Sequence, residues 1–133
     1  MRILLVARMV EDRRWLVISH VVLMKPRADL APADRRAFVE TFRRAVEAIP
    51  TVRGVRVGQR VRHGAGYEAS SADTADYLAV IDFDDLGGLQ AYLAHPAHNE
   101  LGARFSQSLS AASVYDFEVG GLDTLAVMKG AED

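Results

Sequence analysis

Apolar and polar positions alternate with a period of two along Val17-Ile18-Ser19-His20-Val21-Val22-Leu23-Met24. Apolar, often β-branched residues at that period predict a buried strand, with Ile18, His20, Val22 and Met24 on one face and Val17, Ser19, Val21 and Leu23 on the other. Lys25-Pro26 ends it. From Pro32 the period becomes helical: Phe38, Phe42, Ala45, Val46 and Ile49 share a stripe, Asp34 sits near the positive end of the dipole, and Pro50 is the stop. Val55, Val57, Gln59 and Val61 then alternate against Arg56, Gly58, Arg60 and Arg62 as a second strand. Residues 63–75 are rich in Gly, Ser and Ala and read as a mobile loop. Residues 77–83 form the third strand. Asp84 or Asp85 caps a helix carrying Leu86, Leu89, Tyr92 and Leu93, weakened at its start by Gly87-Gly88. Pro96 interrupts it, and residues 97–109 resume as a short helix with Leu101, Phe105 and Leu109 inward. Residues 113–119 are the last strand, and Gly120-Gly121 open a tail.

The order β-α-β-β-α-β predicts an α+β, ferredoxin-like fold over residues 17–120, with an extension at 1–16 and a tail at 121–133. Two helices cover one face of a four-stranded sheet. The uncovered face is expected to carry His20, Val22, Met24, Tyr77, Ala79 and Ile81, too apolar to leave in water. Two such sheets packed back to back predict a homodimeric α+β barrel. Leu122, Leu125, Val127 and Met128 are expected to pack on the partner or on a sheet edge.

With 133 residues, half of them hydrophobic, the chain builds one core. A formal net charge of −2 with interleaved signs argues against a nucleic-acid partner. No apolar run is long enough to span a bilayer, and the apolar stretch before Arg8 is too short for a signal peptide. The chain lacks cysteine, which rules out disulfides and thiolate chemistry and suits a cytoplasmic location.

Two of the four histidines fall within Tyr92-Leu93-Ala94-His95-Pro96-Ala97-His98. Proline holds His95 at a helix end, and imidazole and phenol together supply acid–base and oxyanion-binding capacity. The same residues also read as helix caps at His95 and His98 and core packing at Tyr92. A metal site from His20, His95 and His98 lacks a carboxylate at a recognisable spacing, so no metal is expected. Gly64-Ala65-Gly66 matches neither phosphate-binding glycine pattern. Asp116 and Glu118 alternate outward from the last strand and are expected to be solvated.

The chain resembles the stress-responsive dimeric α/β-barrel family, often called Dabb, from about His20 to Phe117. The resemblance lies in His20-Val21-Val22-Leu23-Met24-Lys25, in Ile49-Pro50 followed by Val55-x-Val57-Gly58, in Tyr92-Leu93-x-His95-Pro96-Ala97-His98, and in Tyr115-Asp116-Phe117. It implies a homodimer enclosing a small-molecule cavity. A plant polyketide cyclase of that family closes a linear chain by aldol condensation without a cofactor. Its catalytic tyrosine and histidine match Tyr92 and His98, and a pocket histidine matches His20. This chain departs where that enzyme has a further histidine, here Tyr77, and a bulky aromatic, here Leu109.

The resemblance therefore implies cofactor-free chemistry on a small carbonyl-containing ligand. His98 is then the base, Tyr92 the donor to the enolate oxygen, and His20 the orienting group. Met24, Phe38, Phe42, Tyr77, Ala79 and Leu109 are the expected pocket wall. The residues leave open a non-enzymatic dimeric module that binds a ligand or serves a stress response, and a cofactor-free monooxygenase, which needs a roomier aromatic pocket. Access of Tyr92 and His98 to a cavity separates an enzyme from a module.

Overall fold

The computed structural model describes residues 16–130; the expected extension at 1–16 falls outside them except for Leu16. Strand β1 (Val17–Pro26) leads into helix α1 (Pro32–Ala48), then β2 (Gly54–Gln59) and β3 (Tyr77–Phe83). Helices α2 (Leu86–Ala94) and α3 (Pro96–Ser108) follow, and β4 (Leu109–Val119) closes the fold. The strands form one antiparallel sheet in the order β2-β3-β1-β4. This is the ferredoxin-like α+β arrangement, with its second helix divided at Pro96. Among the described residues no helix is long and apolar enough to cross a membrane.

The alternation along β1 is as expected, but the helices lie on the face expected to be open. His20 pairs with Ile81, Val22 with Ala79 and Met24 with Tyr77. Of these, His20, Val22, Met24, Ala79 and Ile81 are buried under the helices. Ile81 and Phe83 pack with Ala45 and Ile49 of α1, Leu89 and Tyr92 of α2, and Leu101 of α3. Val22, Met24 and Ala79 form an adjoining cluster with Phe38, Phe42, Phe105 and Leu109. The uncovered face instead carries Val17, Val21 and Leu23, paired with Val119, Tyr115 and Ser113 on one side. On the other side Val21 meets Val80 and Leu23 meets Leu78. Period two assigns residues to a common face but does not say which face the helices take, and here both faces are apolar.

The remaining differences are local. Strand β4 starts at Leu109, directly after α3: the ladder with β1 runs on through Ala112 and Ala111, and a register shift between Lys25 and Pro26 then sets Leu109 opposite Pro26. Residues of low β-propensity hide that extension. Within the loop expected to be mobile, Gly66–Ser70 forms a 3₁₀ turn. The backbone N–H groups of His63 and Gly64 donate to the Glu68 carboxylate at 2.9 and 2.8 Å, and Gly64 takes a φ of 87° open to glycine. The tail forms a 3₁₀ turn, Leu122–Val127, with Leu122, Leu125, Val127 and Met128 exposed on this protomer.

Candidate active site

Pro96 supplies the first residue of α3, and its missing N–H belongs to a position where helices leave that donor unused. His95 is the N-cap: its Nδ1 accepts from the Ala97 N–H at 3.0 Å. That bond makes His95 a structural cap and leaves it outside the cavity described below. Asp85 caps α2 in the same way, accepting from Gly88 N–H at 2.8 Å. The two caps set α2 and α3 end to end, so that Tyr92 near the end of one and His98 in the first turn of the other meet.

Their rings stand edge to face, 4.8 Å apart and inclined 61°. His20, from the middle strand β1, also meets the Tyr92 ring edge to face, at 5.7 Å and 66°. All three line one cavity of about 260 Å³ between the helices and the sheet, within a single protomer. The resemblance implied a cavity enclosed by two sheets; in this protomer it lies on the opposite side, under the helices. Phe42 from α1, Ile81 from β3 and Val114 from β4 form much of its apolar wall, with Leu101, Gly102 and Phe105 of α3 opposite.

Of the residues expected to form the wall, Phe42 lines the cavity. Met24, Phe38, Ala79 and Leu109 belong to the adjoining core cluster and do not line it. Tyr77, at the start of β3, is 42 % exposed and also lies outside.

Asp116, expected to be solvated, keeps 41 % of its side chain exposed, and its Oδ1 also lies 2.6 Å from His20 Nδ1. A carboxylate can only accept, so Nδ1 carries a proton and donates to it. The signal for this contact is the β1–β4 register, which sets Asp116 opposite His20. A single strand pattern does not contain it.

Burial lowers the His98 pKa below the ordinary imidazole value, the nearby His20 lowers it further, and the backbone at Leu93 opposes both. Burial alone pushes the Tyr92 phenol up to about 12. Near neutral pH, then, His98 is an uncharged imidazole able to accept a proton, and Tyr92 is a firmly protonated donor. No buried side-chain nitrogen or oxygen among the described residues lacks a partner. The Tyr92 hydroxyl makes no hydrogen bond to another described residue, so its oxygen opens onto the cavity. Among the described residues no group of three or more His, Cys, Asp or Glu side chains could hold a metal ion.

A family profile described as Stress responsive A/B Barrel Domain matches residues 18–119. The chain is 20 % identical to olivetolic acid cyclase of Cannabis sativa over 102 residues, which is 77 % of this chain and 96 % of that protein. Among solved structures, the fold is similar to a dimeric ferredoxin-like protein of unknown function from Thermobifida fusca. The TM-score is 0.61 at 22 % identity, over 78 % of this chain and 92 % of the other. Hydroxynitrile lyase of Passiflora edulis is similar at a TM-score of 0.66 and 12 % identity, over 78 % of this chain and 94 % of the lyase.

Proposed function

The chain belongs to the stress-responsive A/B barrel domain family, and from that premise we propose that it acts as a homodimer performing cofactor-free acid–base chemistry on a small carbonyl compound, of the aldol or Claisen type. The observation that carries this reading is the convergence of His98, Tyr92 and His20 at one end of an otherwise apolar cavity. In the proposed step His98 takes an acidic α-proton and becomes imidazolium, while the electron pair moves onto the carbonyl oxygen. The Tyr92 hydroxyl donates to that oxygen. The enolate carbon then attacks a second carbonyl, and the proton held by His98 is returned to the new alkoxide. His20, held by Asp116, orients the substrate. Two relatives of this fold are named as a cyclase and a lyase, which supports an enzymatic reading.

The open sheet face supports the homodimer. Tyr115, Phe117 and Val119 are each about half exposed there, beside Val17, Val21 and Leu23. A patch of that kind on a small protein marks an interface, and the Thermobifida fusca protein is described as dimeric. A cytoplasmic location accompanies this reading, supported by the lack of cysteine. Val21→Asp, which puts a charge into the centre of the patch, should give a monomer with an intact fold. A Val21→Asp protein that still sediments as a dimer would place the interface elsewhere.

The chemistry is tested by exchange of α-protons into D₂O, followed by NMR on β-keto N-acetylcysteamine thioesters. His98→Ala and Tyr92→Phe should each slow exchange by about 10²–10⁴-fold with the dimer retained. Because both act on one step, the double variant should lose far less than the product of the two losses. Exchange at the wild-type rate in both single variants would overturn the catalytic reading and leave a ligand-binding module.

A further inference from the structure

Two glycines of the helical layer differ in their surroundings. At Gly88 an added Cβ would make ordinary contact, 3.5 Å from Asp85 Oδ1, Phe83 and Thr51. At Gly102 an added Cβ would meet nothing within 4 Å, and its φ is not in the left-handed region. Gly102 nevertheless sits near the middle of α3, where glycine is the poorest residue short of proline. Neither packing nor backbone geometry asks for it.

Its position in the cavity does. Gly102 lies four residues after His98 and three before Phe105, on one helical face, and all three line the cavity. It is also exposed, so it stands where the cavity reaches solvent. A side chain there would enter open space at the cavity rather than meet a packed neighbour. Apart from His20, Tyr92 and His98, the lining consists of apolar side chains and Gly102, with no Lys, Arg, Asp or Glu among it. A carboxylate or phosphate on a ligand would find no cation to offset its desolvation.

We propose that Gly102 is the specificity-determining mouth of the cavity, which admits an uncharged ligand whose carbonyl reaches the histidine–tyrosine end and whose apolar body lies across the bare backbone of α3. The carbonyl's placement rests on the acid–base reading; the preference for an uncharged, apolar body rests on the lining alone. At about 260 Å³ the cavity falls just below the usual range for ligand sites, so the body is small.

The test uses an unreactive pair of probes, 4-phenyl-2-butanone and its ring carboxylate, 4-(3-oxobutyl)benzoate, titrated against the full chain by NMR or calorimetry. Wild type should bind the ketone and bind the carboxylate at least about tenfold more weakly. Gly102→Leu should keep the fold and oligomeric state yet weaken ketone binding by at least about tenfold. Should Gly102→Leu fail to fold, Gly102→Ala carries the test: a higher melting temperature, from better helix propensity, with measurably weaker ketone binding. Undiminished ketone affinity in the Gly102 variant, equal affinity for the carboxylate, or no ketone binding by wild type would each overturn the proposal. Failure of the acid–base reading looks different: the ketone binds and responds to Gly102 substitution, but α-proton exchange is indifferent to His98.

Discussion

Two of the tyrosine–histidine pairs among the described residues have similar shape and opposite surroundings. His63 and Tyr67, in the loop before β3, meet edge to face at 6.0 Å and 67°. Tyr92 and His98 meet at 4.8 Å and 61°. In the loop pair, Nε2 and the hydroxyl bond to each other at 3.1 Å, and Tyr67 is 66 % exposed. In the cavity pair the phenol is 1 % exposed and its hydroxyl has no partner among the described residues. The loop pair has satisfied itself in water. The cavity tyrosine keeps its hydroxyl unspent in a low-dielectric pocket, where a bond to a third molecule is worth more. Residue type and geometry are shared; burial and an unspent donor make a site.

The largest difference between the pairs should be in stability. Tyr92 packs against Phe83 at 5.2 Å within the main core, so Tyr92→Ala should cost about 3–5 kcal/mol. Tyr67→Ala, at the surface, should stay within about 0.5 kcal/mol. Denaturant midpoints for the two variants check this directly. Similar losses would mean that the loop is as integral to the fold as the core and would dissolve the contrast. Tyr92→Phe refines it: the ring remains, the hydroxyl leaves no partner behind, and stability should hardly change while turnover falls.

Protonation gives the next, smaller effect. The folded state lowers the His98 pKa, so below the ordinary imidazole value of about 6.5 the unfolded chain binds the proton more readily. Stability linked to His98 is therefore complete above that pH and is lost as pH falls through it toward the folded value. Melting temperature should drop on acidification across this window, and less steeply in His98→Gln. Activity should decline over the acid limb set by the lowered value, because the base is then occupied. A His98→Gln protein with the wild-type acid slope would show that some other group governs it.

Much of this contrast was legible in the sequence. Period-two runs at Val17–Met24 and Tyr77–Phe83, the stop at Pro50 and the break at Pro96 contain the element order, because each is a local rule of backbone and solvent. The clustering of Tyr92 and His98 is local too: they lie six residues apart, with the His95 cap and Pro96 between them. What stayed hidden depends on pairing between distant strands. The choice of sheet face is undetermined when Val21, Leu23 and Val80 are as apolar as Val22 and Ile81. Met24, Phe38, Ala79 and Leu109, expected to wall the pocket, form a cluster beside the cavity, since a hydrophobic pattern distinguishes inside from outside and not filled from empty. The Asp116 contact needs the register of two strands 96 residues apart in sequence.

That contact gives the smallest expected effect and the finest distinction between the two pairs. Among the described residues the His63 ring is met by Tyr67 and Glu68 of its own loop, whereas His20 beside Tyr92 is held by Asp116 from β4. Asp116 is 41 % exposed, so the bond is partly solvated and its value lies in fixing the tautomer more than in stability. In Asp116→Asn the amide can offer an N–H to Nδ1, which favours the tautomer with the ring proton on Nε2. The variant should fold normally, show the exchanged pattern in the His20 ring ¹⁵N shifts, and lose about tenfold in kcat with KM little changed, less than the loss in His98→Ala. Asp116→Glu, which restores a carboxylate acceptor, should recover the tautomer and part of the rate. If Asp116→Asn leaves both the ¹⁵N pattern and kcat as in wild type, Asp116 is a surface partner like the groups around His63, and His20 needs no help from β4 to face the cavity.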